Sequence, residues 1–200
     1  MISLSTVRRA ALIVAHPDDE TLWAGGLVLR TASQIYWTVV CCSIPRLDPI
    51  RVQKFQAACS ALRVRKTIVI QQVETKPPQL LPYLDQELPL RLPQAVDMVV
   101  THGIAGEYGH VHHCQLGEWI RRNVHLPVVS IALRPKPNPI EGMHVVALTE
   151  EEWRQKERAL RCYNHVMPYE GRVMPKWQAL LRRYGTTFDL QTEVYDGLRA

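Results

Sequence analysis

The sequence predicts an α/β fold in which helices cover a mostly parallel central sheet. Short apolar runs alternate with segments of helical spacing over the first two-thirds of the chain, and this alternation is typical of βαβ units. Of the 200 residues, 46% are hydrophobic and 22% are charged, which suffices for one buried core. This composition excludes the disordered and fibrous classes.

The predicted elements follow one another along this alternating pattern. Strands are predicted at residues 10–15, 35–42, 67–73, 96–101, 128–133 and 145–148. Helices are predicted at residues 20–31, 51–62, in a short piece before Pro89, and at 113–123, 150–163 and near 177–184. Thr149 with Glu152 is a capping signal for the helix at 150–163. We expect one domain over residues 1–200, with an α/β core at 1–135 and an extension at 136–200 packed on it.

Composition also narrows the location and the partners. The five cysteines are odd in number and form no CxxC pair, so we expect no disulfide framework and a reducing cytoplasm. We expect neither a signal peptide nor a transmembrane segment, which would need about 20 apolar residues. The formal net charge is +5, but the basic residues are scattered. A solvated basic surface is therefore favoured, and no nucleic-acid partner is expected. If the excess charge has a purpose, attraction of an anionic substrate is as plausible as binding of a polymer.

One pentapeptide carries most of the chemical signal. His16, Pro17, Asp18, Asp19 and Glu20 stand directly after the first predicted strand and before a helix. In α/β folds, ligands bind at the carboxyl ends of strands. The alternative is that the acids only cap the helix and that His16 is a buried histidine at the end of a strand.

A second polar cluster follows the fourth predicted strand in the same way. Its members are His102, Glu107, Tyr108, His110, His112 and His113. If the first and fourth strands are neighbours, the two clusters face each other across the crevice where the chain changes direction. Two histidines and one carboxylate with an open fourth position are the ligand set of catalytic zinc, and His16, Asp19 and His113 can supply it.

The motifs resemble those of the PIG-L/LmbE family of zinc-dependent N-deacetylases. The resemblance lies in AHPDDE at residues 15–20, in the pair Gly25-Gly26, and in GHxxH at residues 109–113. It extends over roughly the first 135 residues, about two-thirds of the chain. It implies a Rossmann-like three-layer sandwich and removal of the acetyl group from an N-acetylglucosamine-type glycoconjugate.

The resemblance also implies roles for individual residues. His16, Asp19 and His113 are expected to bind Zn²⁺, with Fe²⁺ as an alternative metal. Asp18 is expected to be the general base, and His110 to stabilise the oxyanion as a cation or to protonate the leaving group. This agrees with general chemistry, since zinc lowers the pKa of bound water toward about 7 and polarises a carbonyl.

Other positions are expected to contact substrate or to support the site. Arg51 resembles an arginine of the family that reaches toward substrate hydroxyls; the alternative is an exposed residue at a helix start. Glu107 and Tyr108 are expected on the rim of the pocket, where they could bind sugar hydroxyls. Glu20 is expected to support the site without binding metal, and Cys114 to be a core residue.

The chain departs from the family pattern at four positions, Trp23, Lys54, Val111 and His112. Trp23 replaces a common glycine, and Val111 and His112 replace proline and aspartate in the second motif. His112 could support a ligand, contact substrate or point outward.

Three functional hypotheses follow. The first is a zinc N-deacetylase acting on an amino sugar that is free, phosphorylated, or linked to a lipid or nucleotide. The second is another zinc amidohydrolase or an esterase. The third is a non-catalytic module that binds anions or nucleic acid and retains a metal site.

Overall fold

A central sheet and five α-helices dominate the computed structural model, which describes residues 1–44, 48–70, 81–93, 95–132, 143–163, 166–169, 172–175 and 190–199. The described helices are α1 (Asp19–Thr31), α2 (Pro49–Ala61), α3 (Leu81–Arg91), α4 (Val111–Asn123) and α5 (Glu150–Cys162). The described strands are β1 (Ile2–Ser3), β2 (Arg9–Val14), β3 (Tyr36–Cys41), β4 (Lys66–Val69), β5 (Met98–Thr101), β6 (Val128–Ala132), β7 (Met143–Ala147), β8 (Val166–Tyr169), β9 (Arg172–Pro175), β10 (Thr192–Asp196) and β11 (Leu198–Arg199).

The main sheet has seven strands in the order β4-β3-β2-β5-β6-β10-β7. The pairs from β4 through β6 are parallel, whereas β10 runs antiparallel to both β6 and β7. Two short pairs, β1 with β11 and β8 with β9, lie outside this sheet. The predicted α/β class with a mostly parallel sheet is confirmed.

Helices cover both faces of this sheet. On β2, Leu12 and Val14 belong to a core shared with α1, α2 and α5. Ala11 and Ile13 belong to a second core shared with α3 and α4. Because successive side chains of a strand point to opposite faces, a continuous apolar run such as this one is needed where both faces are buried. The result is a three-layer α/β/α sandwich.

The pairing of β2 with β5 fixes the position of the two polar clusters. Both strands are parallel and in register, with Ile13 opposite Thr101. β3 pairs with the other side of β2, so the chain changes direction at this strand. The carboxyl ends of β2 and β5 are therefore neighbours, which is the condition under which the two polar clusters face each other.

Several elements differ from the sequence-based prediction. The third predicted strand, at residues 67–73, is observed at Lys66–Val69, and its last three predicted residues lie outside the described ones. α3 extends through Pro89, which was expected to follow the helical piece. A proline inside a helix removes one backbone hydrogen bond, and this helix continues past it. β10 was not predicted at all. The helix predicted near 177–184 lies outside the described residues.

The capping box of α5 is confirmed. The Thr149 hydroxyl accepts the backbone N–H of Glu152 (3.3 Å), and the Glu152 carboxylate accepts the backbone N–H of Thr149 (2.8 Å). Among the described helices, none is both long and apolar enough to cross a membrane.

A buried ion pair connects α5, β10 and α1. The ammonium group of Lys156 donates to Glu193 Oε1 (2.6 Å) and to the carbonyl of Leu190 (2.9 Å), and both charged side chains are almost completely buried. The Glu193 carboxylate also accepts the backbone N–H groups of Gly26 (2.6 Å) and Leu27 (2.8 Å). A Cβ atom at Gly26 would clash with Leu148 Cδ2 and lie 3.0 Å from this carboxylate, which explains the glycine.

We predict that Lys156→Met destabilises the protein by about 3–5 kcal/mol, because it leaves the Glu193 carboxylate buried without its cation. The control is Arg154→Met on the same helix, which breaks the exposed ion pair with Glu150 and should change stability by less than about 0.5 kcal/mol. Urea unfolding measures both changes. Equal effects of the two variants would contradict the importance of the buried pair.

Candidate metal centre

The pentapeptide forms a tight, strained turn between β2 and α1. Asp18 has φ of +123°, a backbone conformation that residues other than glycine rarely adopt. Its carbonyl accepts the backbone N–H groups of Thr21 (3.1 Å) and Leu22 (2.9 Å), which begins the helix. Such strain costs on the order of 1–3 kcal/mol and concentrates at functional sites.

Glu20 stabilises this turn through hydrogen bonds to its carboxylate. Its buried carboxylate accepts the backbone N–H of Asp18 (3.0 Å) and the hydroxyls of Thr21 and Tyr163. Burial raises the pKa of Glu20 to about 7. The side chain belongs to neither of the groups of candidate metal ligands found among the described residues, in line with the supporting position expected for it.

The second cluster is positioned by the loop between β5 and α4. Gly106 and Gly109 have positive φ values, +62° and +75°, and His110 is the N-cap of α4. α4 packs directly on the start of this loop, since a Cβ atom at Gly117 would lie 2.6 Å from the carbonyl oxygen of His102. This close packing brings the first turn of α4 toward the end of β2.

Three donor atoms form a nearly equilateral triangle between the two clusters. Asp19 Oδ2 lies 3.2 Å from His16 Nδ1 and 3.2 Å from His113 Nε2, and the two nitrogens are 3.3 Å apart. A tetrahedral metal with bonds of about 2.0–2.1 Å would separate its ligands by about 3.3–3.4 Å. All three side chains are buried. The donor set and its spacing therefore fit a zinc-like ion.

Two wider groups of candidate ligands overlap this triangle. The donor atoms of His16, His110 and His113 lie within 4.8 Å of one another, as do those of Asp19, His102 and His113. His102 is already engaged, because its Nε2 accepts the backbone N–H of Ala15 (3.1 Å). With Nε2 accepting this bond and Nδ1 facing Glu107, both ring nitrogens of His102 already have partners.

Each atom of the triangle belongs to a side chain with a further partner. His16 Nε2 shares a hydrogen bond of 2.9 Å with His112 Nδ1, and the Trp23 indole N–H donates to Asp19 Oδ1 (3.2 Å). His113 Nδ1 pairs with Glu107. Such partners fix the orientation of metal ligands and the tautomer of ligand histidines.

Glu107 corrects an expectation of the sequence analysis. Its side chain is completely buried and does not lie on the rim, because its two oxygens face His113 and Nδ1 of His102 (2.8 and 2.9 Å). Burial alone would raise the pKa of Glu107, but these imidazoles outweigh it and lower the pKa to about 2. Glu107 is therefore buried against two histidines of the site, and the expected position on the rim is wrong.

His112 is likewise placed away from the surface. Its side chain is 2% exposed and contacts His16, so the outward-facing alternative is wrong. Its contact matches the alternative in which it supports a metal ligand. Its neighbour Val111 is 46% exposed.

His110 and Asp18 complete the site beside the triangle. The ring of His110 lies 4.7 Å from the rings of both His16 and His113. Burial, together with these two imidazoles, lowers the pKa of His110 to about 4. Asp18 is 5% exposed and lies 3.7 Å from the guanidinium of Arg51.

Arg51 and Tyr108 lie close to these groups. Arg51 is half-buried in the first turn of α2 and donates to the carbonyl of Pro17 (3.2 Å), so the exposed alternative is wrong. The Tyr108 ring lies 5.7 Å from His110 and 5.4 Å from His113. Cys114 is half-buried and belongs to neither group of candidate ligands found in the described chain.

Comparison with known proteins identifies the family. A family model described as PIG-L, GlcNAc-PI de-N-acetylase, matches residues 11–124. The chain belongs to the PIG-L family. The matched segment contains both polar clusters, and the resemblance noted in the sequence is confirmed. Membership in PIG-L identifies the chain as an enzyme of the deacetylase type.

Curated relatives of this PIG-L chain carry one name. A 1D-myo-inositol 2-acetamido-2-deoxy-alpha-D-glucopyranoside deacetylase from Corynebacterium diphtheriae is 24% identical over 205 aligned positions, which cover 79% of this chain and 68% of the relative. A deacetylase of the same name from Saccharopolyspora erythraea is 34% identical over 83 positions, covering 32% of this chain and 27% of that relative.

Solved structures share the fold at low sequence identity. A deacetylase of the teicoplanin biosynthesis pathway has a TM-score of 0.65 at 16% identity, covering 94% of this chain and 96% of the other. The N,N'-diacetylchitobiose deacetylase of Pyrococcus horikoshii has a TM-score of 0.61 at 18% identity, covering 95% and 84%. A 4-carboxy-2-hydroxymuconate hydratase from Pseudomonas putida has a TM-score of 0.63 at 15% identity, covering 94% and 95%. The fold alone therefore does not fix the reaction.

We predict that the purified chain, stripped with a chelator, binds one equivalent of Zn²⁺ and that His113→Ala abolishes this binding, because the variant loses one corner of the triangle. The control is His125→Ala, which removes an exposed imidazole after α4 and should leave zinc binding unchanged. Equilibrium dialysis with metal analysis gives the stoichiometry. Full zinc binding by His113→Ala would show that the triangle is not the site.

Proposed function

We propose that the chain is a zinc-dependent N-deacetylase that hydrolyses the acetamido group of an N-acetylglucosamine-type glycoconjugate. The observation that carries this proposal is the triangle of His16, Asp19 and His113 with the carboxylate of Asp18 directly beside it in sequence. Two histidines and one carboxylate leave a coordination position open, which is the pattern of catalytic zinc. When bound there, zinc would polarise the amide carbonyl and lower the pKa of water.

Asp18 is the proposed general base. Its strained backbone places it at the end of β2, and its carboxylate lies near Arg51, which orients it through an ionic contact of 3.7 Å. It accepts the proton of the attacking water and later gives it to the departing amine. The C–N bond breaks, and the products are acetate and a free amino sugar.

His110 is the proposed partner of the amide oxygen. Its Nδ1 is buried and has no hydrogen-bond partner among the described residues. Its ring lies 4.7 Å from the rings of His16 and His113, two of the three residues of the triangle. A ring nitrogen of His110 can thus donate to the oxygen as negative charge develops there, and such donors are most effective in sites that are shielded from water.

Arg51 and Tyr108 are the proposed sugar-binding residues. Both are half-buried and border Asp18 or His110. A guanidinium and a phenol are suitable partners for hydroxyl groups. Glu107 and His112 are left out of this role because imidazoles of the site already occupy them. The net charge of +5 favours a substrate that carries an anionic group such as a phosphate.

We predict that Asp18→Asn lowers acetate release by about 10²–10⁴-fold, because an amide cannot accept the proton, while zinc stoichiometry stays at one. The assay uses zinc-loaded protein with a panel of N-acetylglucosamine conjugates, N-acylamino acids and simple esters. The control is Asp97→Asn. The Asp97 carboxylate accepts the backbone N–H groups of Arg8 (2.8 Å) and Arg9 (2.9 Å) at the amino ends of β2 and β5, whereas the site lies at their carboxyl ends.

Turnover retained by Asp18→Asn would contradict the role of this residue. Turnover of esters or N-acylamino acids without turnover of the sugars would contradict the proposed substrate class while leaving the hydrolytic chemistry intact.

A further inference from the structure

The two oxygens of Asp19 face different surroundings. Oδ2 is the corner of the triangle: it lies 3.2 Å from His16 Nδ1 and 3.2 Å from His113 Nε2, and it accepts the backbone N–H of His16 (2.8 Å). Oδ1 accepts the indole N–H of Trp23 at 3.2 Å. Trp23 follows Asp19 by four residues, so both side chains lie on the same face of α1.

The indole of Trp23 is held firmly in place. Its side chain is 8% exposed and belongs to the core beneath α1, and its ring lies 6.0 Å from the ring of Tyr108. An indole nitrogen is a donor only, and a buried one needs an acceptor. Asp19 Oδ1 is that acceptor, so this contact and the bond from the His16 backbone N–H to Oδ2 together fix the rotation of the carboxylate.

We propose that Trp23 is a positioning residue that turns Asp19 so that Oδ2 alone faces the metal. This inference rests on the proposed metal site and goes beyond the proposed reaction. A carboxylate free to rotate can offer both oxygens and fill the coordination position that a substrate needs. The indole N–H prevents this by engaging Oδ1 and keeping the carboxylate monodentate.

The other two candidate ligands are held through different chemistry. His16 is held by the imidazole of His112 and His113 by the carboxylate of Glu107. Trp23 supplies the corresponding contact for Asp19 with an uncharged donor, which leaves the negative charge of Asp19 available to a cation.

The test compares Trp23→Phe with Trp37→Phe. Both variants replace a buried indole by a ring without a donor. Trp37 provides the matched control because its N–H donates to the Thr31 hydroxyl (2.9 Å) and to no candidate ligand. Zinc affinity is measured by competition with a chromophoric chelator, and urea unfolding of the metal-free proteins measures the loss of stability.

We expect Trp23→Phe to weaken zinc binding by about 10–100-fold and Trp37→Phe to leave it unchanged. Unchanged zinc affinity in Trp23→Phe would overturn the proposal and make Trp23 a core residue only. Equal weakening in both variants would also overturn it, because the effect would then follow general destabilisation.

A measurement on the unaltered protein covers the case in which Trp23→Phe does not fold. The chain has five tryptophans, and their indole N–H groups give separate signals in a nitrogen–proton NMR spectrum. We expect one equivalent of zinc to shift the Trp23 signal and not the Trp37 signal. No shift of the Trp23 signal in a zinc-loaded sample would overturn the proposal.

These readouts do not depend on turnover. Zinc binding that weakens in Trp23→Phe, in a protein that releases no acetate from any sugar, would support the positioning role and contradict the proposed function. Acetate release together with unchanged zinc affinity in Trp23→Phe would support the proposed function and contradict the positioning role.

Discussion

The parallel pairing of β2 with β5 is the constraint on which the site depends. It joins two parts of the chain whose paired residues, such as Ile13 and Thr101, are far apart in sequence. The carboxyl ends of both strands lie side by side, so the polar residues that follow them are brought together. His16 and His113 meet there at 3.3 Å although 97 positions separate them in the chain. Ligand sites at such crevices are a general property of doubly wound sheets.

Burial of this many ionisable groups is stable only because they pair with one another. The carboxylates of Asp19 and Glu107 alternate with the imidazoles of His16, His102 and His113, so that each charge has a neighbour of opposite sign or a hydrogen-bond donor. Charge pairing also stabilises the packing of α1, because Glu193 of β10 pairs with Lys156 of α5 and accepts two backbone N–H groups of α1.

The sequence revealed the fold class and the candidate ligands because both signals are local. The apolar run of β2 and the pentapeptide after it are contiguous, and so are the histidines at the start of α4. Which partner each of them contacts is a property of packing. The spacing of four residues places Trp23 and Asp19 on one face of α1, but it does not show that the indole donates to the carboxylate. Nothing in the sequence around Glu107 indicates that its side chain is buried against two histidines.

β10 shows the same limit for secondary structure. Its five residues, Thr192–Asp196, include two acids and no apolar run, so the segment resembles a loop. The segment forms a strand because Glu193 pairs with Lys156, 37 positions earlier, and because its backbone pairs with β6 on one side and with β7 on the other. Tertiary contacts of this kind override local preference.

The central claim is that one metal ion is held between the ends of β2 and β5 by His16, Asp19 and His113. A crystal structure of the zinc-loaded protein with anomalous data at the zinc edge tests it most directly. The account predicts one peak at about 2.0–2.2 Å from His16 Nδ1, Asp19 Oδ2 and His113 Nε2, with Trp23 still bound to Asp19 Oδ1. A peak bound instead by His102 or Cys114, or no peak in this crevice, would contradict the account.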